Sequence, residues 1–172
     1  MPDLRTWLDA VKKLGQLMTV ENVHWDLELS TLTEIINERS KTRPAVIFDR
    51  IKEYPHGYRV AANLVSSVER LALTLGMEAG LSDMDFVQSW RRQVKKISPI
   101  RAETVSSGPL FENRKKGKDV DVLQFPVPRW HELDGGRYIG TDDLVITRDP
   151  DEGWVNVGTY RIMIHGPDRL AL

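Results

Sequence analysis

The sequence contains no cysteine, which removes disulfides, thiolate metal sites and cysteine nucleophiles together. Any metal must therefore be held by oxygen or imidazole donors. The chain also lacks the run of roughly 18 apolar residues that a membrane span needs. Its N-terminus is patterned as an amphipathic helix, where a leader would show a short apolar segment, so a cytoplasmic location is expected. An excess of charge is missing as well: 24 Lys and Arg stand against 25 Asp and Glu, a net charge of −1. No whole-molecule field then favours polyanions, and nucleic acid is not an expected partner. No internal repeat or low-complexity tract interrupts the 172 residues, of which 41% are apolar. That is enough core for one domain, or for one domain and part of a second.

Hydrophobic spacing supplies the elements. Leu4, Trp7, Leu8, Val11 and Leu14 recur at helical intervals and Gly15 marks a stop. Gln16 to Val20 reads as a short strand. Thr31-x-x-Glu34 has the form of a capping box ahead of Leu32, Ile35 and Ile36, predicting a second helix that ends near Arg39. Ala45 to Phe48 and Tyr58 to Ala61 are β-prone runs expected to pair in one sheet. Val68 to Leu75 before Gly76, and Ser82-x-x-Asp85 leading into Phe86, Val87, Trp90, Val94 and Ile97, predict two more helices.

The texture changes at Ser98. Prolines at 99, 109, 126 and 128 exclude regular helix and predict a connector with irregular strands. Beyond Asp134-Gly135-Gly136, Thr141 to Thr147 and Trp154 to Ile164 form two β-prone runs around the turn residues Arg148 to Gly153, a β-hairpin that stops at His165-Gly166-Pro167. Two strands alone are marginal in water, so something else must complete this sheet. The pattern predicts an α+β chain: an N-terminal α/β domain with a mixed sheet over residues 1–110, then a connector and β-hairpin over 111–172.

Several features invite function and are read plainly. His24, His56, His131 and His165 share no ligand spacing and are expected to be surface or hydrogen-bonded. Gly135-Gly136 has no strand-loop-helix context and reads as a turn. Arg114 to Lys118 lacks aromatic interleaving and reads as a solvated turn. The stripes that contain Trp7 and Trp90 are core or interface positions.

The segments Gly135-Gly136-Arg137-Tyr138-Ile139-Gly140-Thr141, Val145-Ile146-Thr147-Arg148-Asp149-Pro150 and Trp154-Val155-Asn156-Val157-Gly158-Thr159-Tyr160-Arg161 are different in kind. Together they strongly resemble the UbiD family of reversible decarboxylases. Phe125-Pro126-Val127-Pro128 with Trp130-His131, and the helix-strand pattern from Leu4 to Val20, resemble it too. The resemblance implies that 111–172 supplies the first strands of a split β-barrel of flavin-reductase type. It also implies a non-oxidative decarboxylase acting on aromatic or α,β-unsaturated carboxylic acids through prenylated FMN, Mn²⁺ or Mg²⁺, and K⁺. A flavin prenyltransferase would supply the cofactor, and a homo-oligomer or a complementing C-terminal half is expected.

On the same resemblance, Asn156 matches a ligand of the divalent metal, Thr159, Tyr160 and Arg161 match a flavin-contacting run, and Arg161 matches the arginine of a Glu-Arg-Glu catalytic network. The chemistry is consistent with this. A neutral amide oxygen suits a hard cation beside a phosphate, and a guanidinium offers a planar fork for a carboxylate or flavin oxygen. The family's catalytic acid and its remaining metal ligands, a histidine and a glutamate, lie downstream of these motifs, so the 172-residue chain alone is expected to be inactive. In a regular strand Asn156 and Arg161 point to opposite faces, and Gly158 is where a bulge would bring them to a common side. Two other functions fit the pattern: a docking or oligomerisation fragment without catalysis, and a module that binds ordinary FMN.

Overall fold

The structure is a computed structural model that describes residues 3–101 and 103–172. Helix α1 (Leu4–Lys13) begins where the Asp3 carboxylate accepts the Thr6 amide at 2.8 Å, and it turns Trp7 and Val11 inward. Strand β1 (Leu17–Glu21) lies parallel to β2 (Ala45–Asp49), with Leu17 opposite Ala45 and Glu21 opposite Asp49. Parallel neighbours need a crossover, and α2 (Glu28–Arg39) provides it. Strand β3 (Val60–Ala62) pairs antiparallel to β2, Val46 facing Ala62, so the expected pairing and the mixed sheet are both present.

Strand β2 is the centre of the core because it is covered on both faces. Val46 and Phe48 pack with Val23, Leu29 and Ile51, and with Leu32 and Ile36 of α2. Ala45 packs the other way, onto Trp7 and Val11. A continuous apolar run, with no alternation, is what a strand buried on both sides requires. Each large side chain so buried is worth roughly 1.5–3 kcal/mol over leaving it exposed.

Helices α3 (Val68–Leu75) and α4 (Asp83–Val94) have the ends that their sequences dictate. Ser67 caps α3, and Gly76 closes it in the left-handed conformation at φ 64°, where a Cβ would be strained. Ser82 Oγ accepts the Asp85 amide at 3.2 Å and donates to the Asp85 carboxylate at 2.7 Å, a reciprocal cap. Arg70 of α3 is completely buried. It forms no ion pair among the described residues; its guanidinium donates to the carbonyls of Leu64, Asn63 and Arg43 and to Gln16 Oε1. Burial lowers its pKa from the ordinary arginine value, and these acceptors hold three loops around the helix.

Three expectations are corrected. Helix α2 starts at Glu28, a turn before the Thr31-x-x-Glu34 box, because Thr31 already donates its amide to Leu27 O at 2.9 Å. The entry is fixed from outside the helix: Leu27 donates its amide to Arg129 O, and Glu28 accepts the His24 amide at 2.7 Å. Tertiary contacts thus override a local cap signal. Among its described residues the connector holds no irregular strands, only the 3₁₀ turns Pro109–Phe111, Gly117–Asp119 and Val122–Gln124, together with a single bridge between Asp26 and Arg129. The hairpin ends at Gly166 as expected, but its sheet is not limited to two strands, since a further strand follows Pro167 and pairs with the second one.

The second sheet comprises β4 (Tyr138–Arg148), β5 (Val155–Gly166) and β6 (Arg169–Ala171), antiparallel throughout with β5 in the middle. Asp149 makes the β4–β5 turn, its carboxylate accepting the amides of Asp151 and Glu152. Among the described residues none after Pro128 is buried.

Candidate functional site

The motif of interest occupies β5, and its register decides which side chains share a face. Thr147 stands opposite Asn156, Val145 opposite Gly158, Leu144 opposite Thr159 and Asp143 opposite Tyr160, without interruption. No bulge occurs at Gly158, contrary to expectation. The irregularities fall on β4 between Tyr138 and Asp143, and at the β5–β6 end between Ile164 and Gly166. With β5 regular, Asn156, Gly158 and Tyr160 lie on one face, and Thr159 and Arg161 on the other.

Contacts bear out this division. A Cβ on Gly158 would come within 2.5 Å of Tyr160 Cε2, so the ring lies over that glycine and only hydrogen fits beneath it. Arg161 reaches along the opposite face, its guanidinium carbon 5.3 Å from the centroid of the Tyr138 ring. On β4, a Cβ at Gly140 would overlap the Asp143 carboxylate, which lies across the bulge. At Gly140 and Gly158 a Cβ would therefore have to displace the side chain that lies over the glycine.

Asn156 is half-buried and Thr159, Tyr160 and Arg161 are exposed. Among the described residues, Asn156 makes no side-chain hydrogen bond and Arg161 no ion pair, so both polar groups are open to a ligand. Strand β6 meets β5 only at Met163, Ile164 and Gly166. The edge of β5 from Val155 to Ile162 that faces away from β4 thus has no ladder partner among the described residues, leaving backbone donors and acceptors in line between Asn156 and Arg161.

Other candidates are satisfied locally. His24 Nδ1 accepts the Asp26 amide and its Nε2 stands 3.4 Å from Glu53; His131 bonds Glu34 at 2.7 Å. Glu53 is held below the usual glutamate range by Trp25 Nε1–H and by His24, and Glu28 by the His24 amide. No group of three or more His, Asp or Glu positioned for a metal occurs among the described residues. Lys115 bonds Gln124 and Arg114 lies over Phe111, so the basic run is a local surface turn.

Sequence reasoning missed the residues that seat the second sheet. Arg129 forms a two-bond pair with Asp26, Nε to Oδ1 at 2.7 Å. Arg137 stacks its guanidinium 4.1 Å from the Trp25 ring centroid and donates to Val127 O at 2.7 Å. Arg137 stood within the recognised motif, but its partners are distant in sequence and gave no local signal.

Comparison with known proteins agrees with the fold and the motif. Residues 8–90 match the family model described as 3-octaprenyl-4-hydroxybenzoate carboxy-lyase N-terminal domain, and residues 103–172 match the Rift-related domain of the same carboxy-lyase. The chain belongs to the UbiD family, of which it represents an N-terminal portion. It is 32% identical to the pyrrole-2-carboxylic acid decarboxylase of Pseudomonas aeruginosa, over 98% of this chain and 35% of that protein. Its fold matches the vanillic acid decarboxylase of Sedimentibacter hydroxybenzoicus at 32% identity, with TM-scores of 0.85 for an open form and 0.86 for a closed form, over 99% of this chain and 36% of that one. An evolved dimeric form of HmfF from Pelotomaculum thermopropionicum, in complex with prFMN, matches at TM-score 0.77 and 26% identity, over 99% of this chain and 38% of that one. The chain therefore spans little more than a third of the length of these relatives.

Proposed function

We propose that this chain is the front part of a decarboxylase that releases CO₂ from aromatic or α,β-unsaturated carboxylic acids with the help of prenylated FMN. Carrying this reading is the open edge of β5, flanked by an amide oxygen at Asn156 and a guanidinium at Arg161, neither of them engaged within the described residues. The regular β5 counts against a site on one face, so this reading requires a ligand that lies along the edge and meets Asn156 from one face and Arg161 from the other.

In this assignment Asn156 would hold Mn²⁺ or Mg²⁺, K⁺ would bind as a further ion, and Thr159 and Tyr160 would contact the flavin. When bound, prenylated FMN supplies an electron sink for the pair released with CO₂. The residues of this chain bind and orient: the Asn156 oxygen adds no negative charge beside a phosphate, and the Arg161 fork fixes a carboxylate or a flavin oxygen in one plane. The Gly158–Tyr160 contact keeps a flat, narrow stretch between them.

The domain reading that goes with this is an α/β unit over 1–110 and the opening strands of a flavin-binding split barrel over 111–172. A flavin prenyltransferase would supply the cofactor, and a homo-oligomer or a downstream half the remaining catalytic groups, in the cytoplasm. A docking role without chemistry is the second reading, favoured by the exposed apolar face of Leu144, Ile146, Val155 and Val157.

The test is to produce the protein carrying this chain together with a flavin prenyltransferase, and then measure bound flavin and CO₂ release from vanillate and pyrrole-2-carboxylate. Flavin absorbance with turnover of an aromatic acid is the expected result. Colourless protein that takes up neither flavin nor metal would leave the docking reading in its place.

A further inference from the structure

The two sheets meet across a narrow junction. The stretch leading into β4 meets the α/β unit through Arg129 and Arg137, beside the His131–Glu34 bond and the packing of Trp130 on the core. Arg129 pairs with Asp26 and is stitched by backbone bonds, its amide to Trp25 O and its carbonyl from the Leu27 amide. Arg137 lies one residue before β4 and gathers four segments. Its guanidinium stacks on Trp25 from the β1–α2 loop, bonds Tyr54 Oη from the β2–β3 loop, and donates to Val127 O and Phe125 O of the connector. Its own carbonyl accepts the Ile164 amide of β5 at 2.9 Å, and the next residue, Tyr138, donates its amide to Pro128 O. No carboxylate pairs with Arg137 among the described residues, so its place is fixed by aromatic faces and fixed carbonyls.

A fork that touches Trp25, Tyr54 and the connector at once leaves β4 and β5 little freedom to swing. We propose that Arg137 is a positioning residue through which the α/β unit holds the β4–β5 hairpin, and with it the Asn156 to Arg161 edge, in a fixed orientation for cofactor binding. This gives the α/β unit a task in a reaction for which it offers no chemistry. The cofactor part rests on the function proposed above, whereas the orienting part does not.

The experiment compares Arg137→Met and Arg137→Lys with the unaltered protein by amide hydrogen exchange and by flavin titration. In Arg137→Met, exchange at β5 around Ile164 is expected to quicken about tenfold or more while Ala45–Phe48 stay protected, and flavin affinity to fall about tenfold, the equivalent of ~1.4 kcal/mol. Arg137→Lys keeps a cation over Trp25 but cannot reach all three oxygens, so it should recover only part of both effects. Should Arg137→Met fail to fold, Tyr54→Phe, which deletes one of the bonds, should still quicken exchange in β5 alone. Unaltered β5 exchange in Arg137→Met, or equal loss of protection in both sheets, would overturn the proposal. Loosened β5 in a protein that binds no flavin even when unaltered would sustain the orienting role and refute the cofactor reading.

Discussion

The α/β unit and the β4–β6 sheet are built from similar apolar residues but use them in opposite ways. In the first, Val46, Phe48, Leu29 and Val11 are fully buried on the two faces of β2. In the second, Leu144 and Ile146 keep 71% and 69% of their surface exposed, and Val155 and Val157 on the same face are also open. The first region has a closed core, to which Trp130 of the connector also packs; the second presents an exposed face, an unpaired edge and the motif. Core and motif therefore separate along the chain, with Arg129 and Arg137 at the junction.

That contrast fixes what substitutions should do. The largest effect belongs to Phe48→Ala, expected to cost about 3–5 kcal/mol in denaturant unfolding because it opens a cavity at the centre of the core. A loss under about 1 kcal/mol would show that the core is not there. Arg70→Met comes next, at roughly 3 kcal/mol, since the acceptors at Leu64, Asn63, Arg43 and Gln16 are left without a donor in a dry site; the measurement is the same unfolding midpoint.

Acid gives a smaller, graded response. The carboxylates of Glu28 and Glu53 are held below the ordinary glutamate range, so the fold favours their ionised forms. Their contribution is complete above that range and is lost as pH falls through the lowered values. Tryptophan fluorescence should report loosening around Trp25 on acidification before the far-ultraviolet circular dichroism changes. Simultaneous loss of both signals would contradict a local response. The smallest effect is expected for Ile146→Thr, within about 0.5 kcal/mol, because that side chain is already in water. A cost comparable with that of Phe48→Ala would abolish the distinction between the two regions.

Much of this was legible in the sequence where local rules act. Gly76 and the Ser82–Asp85 cap ended and began their helices because each signal is satisfied within one turn, and Ala45 to Phe48 could be recognised because a doubly buried strand must be apolar throughout. The start of α2 was not, because Arg129, about a hundred residues away, sets it. Strand β6 was hidden by its shortness and by the Pro167 before it. The bulge expected at Gly158 was a reasonable inference from a glycine in a strand, but that glycine makes room for the Tyr160 ring; the bulge lies across the ladder on β4. Of the proposed site, the motif gave the residues, while the unpaired edge of β5 beside them could be seen only in three dimensions.

On the function proposed above, Asn156 and Arg161 border a cofactor site on β5. Its most direct test is the flavin and manganese content of protein produced with a flavin prenyltransferase, compared between the unaltered sequence and Asn156→Ala. The unaltered protein is expected to retain both, and Asn156→Ala to lose most of each while its unfolding midpoint is unchanged. Equal flavin and metal occupancy in the two proteins would contradict it.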